Sequence, residues 1–343
     1  MLYPLKFKPI YKYRIWGGSK LEKFMNKKDV PEKTGESWEI SGIQDDLSVV
    51  AEGPLAGNTL QDLAEVYMGE LLGDHVYDKF GHEFPLLIKL IDANDVLSIQ
   101  VHPDDKLAGE RHKAYGKTEM WYVIQADRGS YLYTGFKTEL NRDEYLKHLE
   151  NRTLKDVLNV EMVEPGDVFF IPAGRVHATG AGILFAEIQQ TSDVTYRIYD
   201  WDRIDKDGKA RELHTGMALD AIDFKVPNNY RTPYRKDPNK VNLVESCNYF
   251  TVNLIPFDRT IDRDYYRLDS FVIYICLEGD FTLSLEKGDK TRVGKGDTIL
   301  MPATLKNVRM EPSTPVRLLE VYIPEKSEDQ PDNGNNKSYF FSK

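Results

Sequence analysis

The chain has 343 residues, a formal charge of −10, 41% hydrophobic and 29% charged residues, the balance of an ordinary soluble protein long enough for two cores. The acidic excess with no basic face disfavours a nucleic-acid binder, and no apolar run is long enough to cross a bilayer. Two cysteines, Cys247 and Cys276, cannot make a disulfide framework, and the opening MLYPLKFKPIYKY has no apolar signal region; both suit a cytoplasmic protein.

Residues 1 to 57 are rich in Lys, Tyr, Trp and Gly, with IWGG at 15–18 and GESWEIS at 35–41. Strands are expected at Trp38–Ile40 and Ser48–Ala51. Thr59 to Leu72 reads as a helix, with Thr59 and Asp62 as cap and partner, stopped by Gly73. From Phe84 short strands follow: PLLIKLIDA, VLSIQVH, EMWYVIQ and SYLYTGF. A helical interlude lies between Lys137 and Val160, with Asn141/Glu144 and Thr153/Asp156 as cap pairs. Strands resume with EPGDVFFIPAG, ILFAEIQQ and VTYRIYDWD, and a helix is expected over Glu212–Asp223. KVPNNYRTPYRKDPNK at 225–240 has little to bury and marks a boundary between residues 1–235 and a strand-rich block over 241–324. The polar tail, 325–343, is expected to be disordered.

A repeat links the halves: Gly166-Asp167-x4-Pro172-Ala173 matches Gly296-Asp297-x4-Pro302-Ala303. Each copy reads as turn, buried strand, turn. Regular Gly and Pro punctuation of many short strands predicts a mainly β protein. Its two cupin-like jelly-roll barrels would have a few helices inserted in or flanking the first. The first copy continues to His177 in a spacing like that of a cupin motif; the matching position in the second is Asn307. One metal site per chain follows, in the first barrel.

In LSIQVHPDD, strand alternation puts Gln100 and His102 on one face. With Glu119 and His177 they make a proposed ligand set. Glu119 is expected on a strand beside that of Gln100 and His102, in a hairpin-like arrangement. Two imidazoles, a carboxylate and an amide oxygen suit zinc first, with cobalt or manganese as alternatives. The neutral Gln leaves the ion a net charge near +1, available to polarise a substrate oxygen. His75, His82, His112, His148 and His214 lack comparable partners and read as surface or structural residues. Spacing alone thus gives a metal-binding double cupin with no named reaction.

The segments IWGG, PLLIKLIDA with LSIQVHPDD, GKTEMWYVI, and GRVHATGAG with EIQQTSDVTYRIYDWDR together resemble type I mannose-6-phosphate isomerases, over about residues 1 to 324. The resemblance implies the same four ligands, Gln100, His102, Glu119 and His177. It also implies a catalytic arginine at Arg197, ten residues after the acidic Glu187. Lys117-Thr118-Glu119 in place of Lys-Pro-Glu, Thr179 in place of an aromatic residue, and Val194 in place of Asn place the chain with a compact bacterial branch. The implied reaction interconverts mannose 6-phosphate and fructose 6-phosphate through an enediolate. Glu187, Asp193 and Lys117 are candidates to carry the proton, Glu187 preferred. Lys89, Lys117, Arg197 and the Ser98 hydroxyl are candidates to hold the phosphorylated hexose, and Trp16 and Glu36 line the pocket by resemblance. The competing classes are a non-catalytic cupin that binds sugar and a cupin oxygenase.

Overall fold

The computed structural model describes residues 2–204, 208–286 and 288–325; the expected disordered tail lies almost wholly outside the described residues. The apolar runs Leu86–Ala93 and Ile183–Gln190 are buried along their whole length and pair antiparallel, from Ile183 opposite Ala93 to Gln190 opposite Leu86. They form the middle of a six-stranded sheet ordered Ile10–Gly18, Thr34–Ile40, Leu86–Ala93, Ile183–Gln190, Glu119–Ala126, Val168–Ile171. A five-stranded sheet is ordered Tyr196–Tyr199, Ile99–Val101, His177–Thr179, Tyr131–Phe136, Leu158–Met162.

Alternation decides which side chains meet between these sheets. Ile99 and Val101 pack outward with Tyr145, Leu154 and Ala218 of the flanking helices, so Gln100 and His102 turn inward. On the six-stranded sheet Met120, Tyr122, Leu184, Ala186 and Ile188 share the outer core. Trp121, Val123, Ile183 and Phe185 share the inner one, and Glu119, Glu187 and Gln189 follow their parity inward.

The second half repeats the plan. Its six-stranded sheet is ordered Leu5–Lys6, Thr298–Met301, Val272–Glu278, Val316–Tyr322, Thr251–Phe257, Asn242–Ser246. Its four-stranded sheet is ordered Ile261–Asp264, Asn307–Pro312, Asp280–Leu285, Lys290–Gly294. The repeated turns share their hydrogen bonds: the Gly166 N–H donates to Val123 O and that of Gly296 to Cys276 O, each at 2.8 Å. Both glycines sit at positive φ, 87° and 91°, where a side chain would be strained. A Cβ on Gly296 would also lie 1.8 Å from Met25 O, so this turn is pressed against the first half. One core runs through both halves, joining Leu86, Tyr122 and Leu184 to Val252, Leu254, Phe271 and Leu319. Backbone bonds from Phe271 N–H to Leu72 O and from Ala303 N–H to Leu71 O, 3.0 and 2.9 Å, seal the contact.

The capping boxes of helices Leu60–Leu72 and Arg142–Glu150 form on Thr59/Asp62 and Asn141/Glu144 as the sequence predicts. Helix Leu154–Val157 differs: Thr153 makes no side-chain cap, because its hydroxyl instead meets His148 Nδ1 at 2.9 Å. The helix expected over 212–223 is only Thr215–Ala221, bounded by non-helical backbone at His214 (φ −112°, ψ 40°) and extended backbone at Ile222 (φ −65°, ψ 126°). Strand Glu119–Ala126 is not the hairpin neighbour of Ile99–Val101. It lies in the other sheet, between Ile183–Gln190 and Val168–Ile171, and brings Glu119 from the opposite wall.

Candidate metal centre

Gln100 lies opposite His177 on one side and Arg197 on the other, so three side chains from three strands stand in a row. His102 is two residues beyond Gln100 and shares its face. From the facing sheet Glu119 completes the group, and ligand atoms of His102, Glu119 and His177 all fall within 4.8 Å of one another.

The hydrogen bonds around the imidazoles fix how they are presented. His102 Nδ1 lies 3.0 Å from Val194 O and His177 Nδ1 2.9 Å from Arg175 O. A carbonyl only accepts, so both Nδ1 atoms carry the proton and both Nε2 lone pairs point inward. His177 Nε2 is 3.3 Å from Glu119 Oε1, and His102 Nε2 is 3.6 Å from Glu119 Oε2. Glu119 Oε1 is buried and accepts no hydrogen bond among the described residues. Two lone pairs and an orphaned carboxylate oxygen converging this way fit a divalent cation. The Gln100 amide lies 3.2 Å from His177 Nε2 with its nitrogen inward; a half-turn of the amide presents the oxygen instead.

Burial, and then Lys117, hold His102 well below the ordinary imidazole value. Burial takes His177 down to about 4. Both rings are therefore neutral near pH 7, the form that ligates. Burial lifts the Glu119 carboxyl to about 7 against the pull of Lys117. The Lys117 ammonium donates to Glu119 Oε2 at 2.6 Å and to His102 Nε2 at 3.1 Å, and lies 3.9 Å from Glu187 Oε1.

Glu187 is fixed from both sides. Lys89 Nζ donates to it at 2.9 Å and Trp121 Nε1 at 2.9 Å, while Lys89 also donates to Gln189 Oε1 at 2.7 Å. Burial raises the Glu187 carboxyl, but Lys89 and Lys117 outweigh it and the net direction is down. Glu36 is further along the same wall, held by Arg14 Nε and Trp38 Nε1, each at 2.7 Å. Burial acts against its ionisation, yet Lys89, Arg14 and these bonds take it down to about 2. Trp16 is buried with Ile91 and Trp121. Ser98 is buried, one residue before its strand begins.

Arg197 stands beside Gln100, its Nη1 donating to Glu212 O at 2.9 Å and its buried Nε unpartnered among the described residues. Burial lowers it, followed by Arg211, with Arg203 and Arg14 adding to the effect and Asp200 opposing it. Buried Asp200 gathers Arg203 Nη2 at 2.6 Å and Arg211 Nε at 2.7 Å. Sequence reasoning missed Arg14, Arg203 and Arg211 as a group; the only signal was Asp200 and Arg203 close behind Arg197 in YDWDR. Asp193 is exposed and lines a separate cleft with His82, Lys113 and Tyr115. His112 binds the Tyr196 hydroxyl at 2.8 Å and takes no part in the metal group.

In the second half Asn307 is only half-buried and binds Glu286, while Val308 fills the interior. No second group of metal-ligating side chains occurs among the described residues.

Residues 4–137 match the family model of the phosphomannose isomerase type I catalytic domain. Over 317 residues the chain is 35% identical to the mannose-6-phosphate isomerase ManA of Bacillus subtilis, spanning 90% of this chain and 96% of that one. It is 35% identical to the mannose-6-phosphate isomerase of Streptococcus mutans over 300 residues, 86% and 90% of the two chains. The fold superposes on the crystal structure of the Bacillus subtilis mannose 6-phosphate isomerase with a TM-score of 0.83 and 31% identity, covering 93% of this chain and 99% of that one.

Proposed function

The chain belongs to the type I mannose-6-phosphate isomerase family, and we propose that it interconverts mannose 6-phosphate and fructose 6-phosphate, with a divalent ion held by Gln100, His102, Glu119 and His177. The observation that carries the ligand set is the convergence of two imidazole lone pairs on an orphaned Glu119 oxygen. Nitrogen and oxygen donors without thiolate favour zinc, with cobalt and manganese as substitutes. The ion would supply positive charge to the oxygens on C1 and C2 of the sugar.

The chain's own residues account for the remaining demands. Moving a proton between C1 and C2 requires a carrier held close to the ion. Glu187, kept as carboxylate by Lys89 and Lys117, is that carrier in this reading, and Lys117 balances the charge as the proton arrives and leaves. Arg197, in register with Gln100, offers an unpartnered Nε to the enediolate. Such preorganised charge is usually the largest catalytic term.

Arg14, Arg203 and Arg211 act on Arg197 electrostatically. A local field of this kind would draw a phosphate dianion into a protein of net charge −10. Ser98 would donate to the phosphate. Trp16, Glu36 and Lys89 would form the wall against the sugar ring, Glu36 as an acceptor for its hydroxyls. Residues 1–235 carry the chemistry in this reading, and residues 241–324 brace them. Free Cys247 and Cys276 suit the reducing cytoplasm, and no described helix is long and apolar enough to cross a membrane.

A coupled assay of mannose 6-phosphate isomerisation, before and after chelation, tests the proposal. Turnover should vanish with the ion and return with zinc, cobalt or manganese. Full activity without metal would overturn the ligand assignment. Stoichiometric metal without isomerisation would leave a sugar-binding cupin as the better account.

A further inference from the structure

The second half makes a polar contact with the first at Asp105, near the metal centre in sequence. Asp105, three residues beyond His102 in the sequence, accepts three hydrogen bonds. Its Oδ1 takes the Gly116 N–H and the Gln190 side-chain amide, both at 2.9 Å, and its Oδ2 takes the Tyr249 hydroxyl at 2.7 Å. Gly116 immediately precedes Lys117-Thr118-Glu119. A Cβ on Gly116 would lie 2.5 Å from Asp105 N, so the segment is pressed onto the start of helix Asp105–His112. Gln190 continues the chain of bonds, its Oε1 accepting the Thr118 N–H at 2.9 Å. Lys117 N–H donates to Pro103 O at 3.1 Å and Gly174 N–H to His102 O at 2.9 Å. The segments bearing His102, Glu119 and His177 are thus tied at a few backbone bonds, and the Asp105 carboxylate is the node from which Gly116 and Gln190 hang.

Tyr249 sits in the turn between strands Asn242–Ser246 and Thr251–Phe257, in the half that holds no ligand. We propose that Tyr249 is a positioning residue for the metal centre, acting through Asp105 on the Gly116–Glu119 segment. Without its hydroxyl, Asp105 Oδ2 loses its only partner among the described residues and the carboxylate is free to turn. A turn would release Gly116 or Gln190, and Glu119, still paired with Gln189 and Ile171, would lose one of the constraints on its distance from His102 and His177. Groups that orient a ligand without touching the metal typically change metal affinity by about 10- to 100-fold. The second half would in this way contribute to the site without reaching it. The inference rests on the metal assignment above.

Cobalt(II) uptake by the full chain provides the test, read as the dissociation constant against a competing chelator and as the visible d–d absorption. Tyr249→Phe should weaken cobalt binding about tenfold and alter the absorption. Tyr234→Phe removes a hydroxyl that donates to Gly166 O at 2.5 Å, away from Asp105, and should change neither. Asp105→Asn should weaken binding at least as much, and adding Tyr249→Phe to it should cost little more, because the two act as one. If Tyr249→Phe gives no folded protein, Asp105→Asn carries the same expectation from the other side of the bond. Equal cobalt affinity and absorption in Tyr249→Phe, Tyr234→Phe and the unaltered chain would overturn this inference alone. An unaltered chain that takes up no cobalt would overturn the metal assignment with it.

Discussion

Glu187 and Glu320 occupy the same station of the repeated fold. Glu187 lies opposite Trp121, which lies opposite Phe169 in the first Gly-Asp repeat; Glu320 lies opposite Tyr274, which lies opposite Ile299 in the second. Both carboxylates are buried, but their charge is met differently. Glu187 faces Lys89 and, more distantly, Lys117. Glu320 is gripped by Arg263 at 2.9 Å, with Asn253 at 2.8 Å and the Tyr265 hydroxyl as further donors. A guanidinium thus lies within the second half, where the first half gathers His102, Glu119 and His177.

Removing that guanidinium strands a buried carboxylate. Arg263→Ala should cost about 3–5 kcal/mol of stability. The paired change Arg263→Met with Glu320→Leu should cost less, because no charge is then left unmet. Urea unfolding of the single and double variants checks this, and a double variant weaker than Arg263→Ala would count against it.

Loss of a proposed metal ligand should have a different signature. His102→Ala or His177→Ala should remove both bound metal and turnover, whereas Asn307→Ala, half-buried and paired with Glu286, should spare both. Metal content by mass spectrometry and the coupled assay read the two effects together. Stoichiometric metal with full turnover in His102→Ala would remove the basis of the site.

Arg197→Ala should keep its metal, since no ligand is altered, and lose about 10²- to 10³-fold in kcat, the usual effect of deleting one preorganised donor. Lys in its place should restore only part of the rate, because an ammonium lacks the guanidinium fork. A near-normal kcat in Arg197→Ala would exclude a catalytic role.

Glu36 ties stability to acid pH. Its carboxyl, held at about 2, contributes stability that is fully present above the ordinary value near 4.5. That contribution is lost as pH falls from there towards 2, and is on the order of 3 kcal/mol. Glu36→Gln should therefore be less stable than the unaltered chain at pH 7. The gap should narrow as the pH drops below about 4.5. Melting temperatures across that range give the comparison, and a gap independent of pH would rule out the linkage.

What could be read from the sequence follows from the range of each signal. Gln100 and His102 stood out because strand alternation is local, Glu119 because it opens the strand-like run EMWYVIQ, and His177 because a turn spacing fixes where its strand begins. The sheet to which Glu119 belongs was not local information: its strand pairs with Ile183–Gln190, and nothing near residue 119 encodes that choice. Arg203 and Arg211 carried no signal of their own, since it is the fold that brings both onto Asp200. The bond from Tyr249 to Asp105 spans 144 positions between two stretches that carry no shared pattern. Thr153 met the rule for a cap and failed it because His148 offered its hydroxyl another partner.

The short strand Leu5–Lys6 also bears on how the molecule is made. It closes the edge of the second half's sheet, with Leu5 opposite Leu300, so it leaves the ribosome about 295 residues before its partner does. Contacts this distant in the chain form late, because the entropy of closing so long a loop must be overcome first. Until the seam closes, strand Thr298–Met301 presents an unpaired backbone edge, and a neighbouring molecule could pair with it. Deleting residues 1–7 should therefore raise light scattering during refolding, most strongly at high protein concentration. Refolding yield would in this sense be guarded by two residues that lie outside the chemistry altogether.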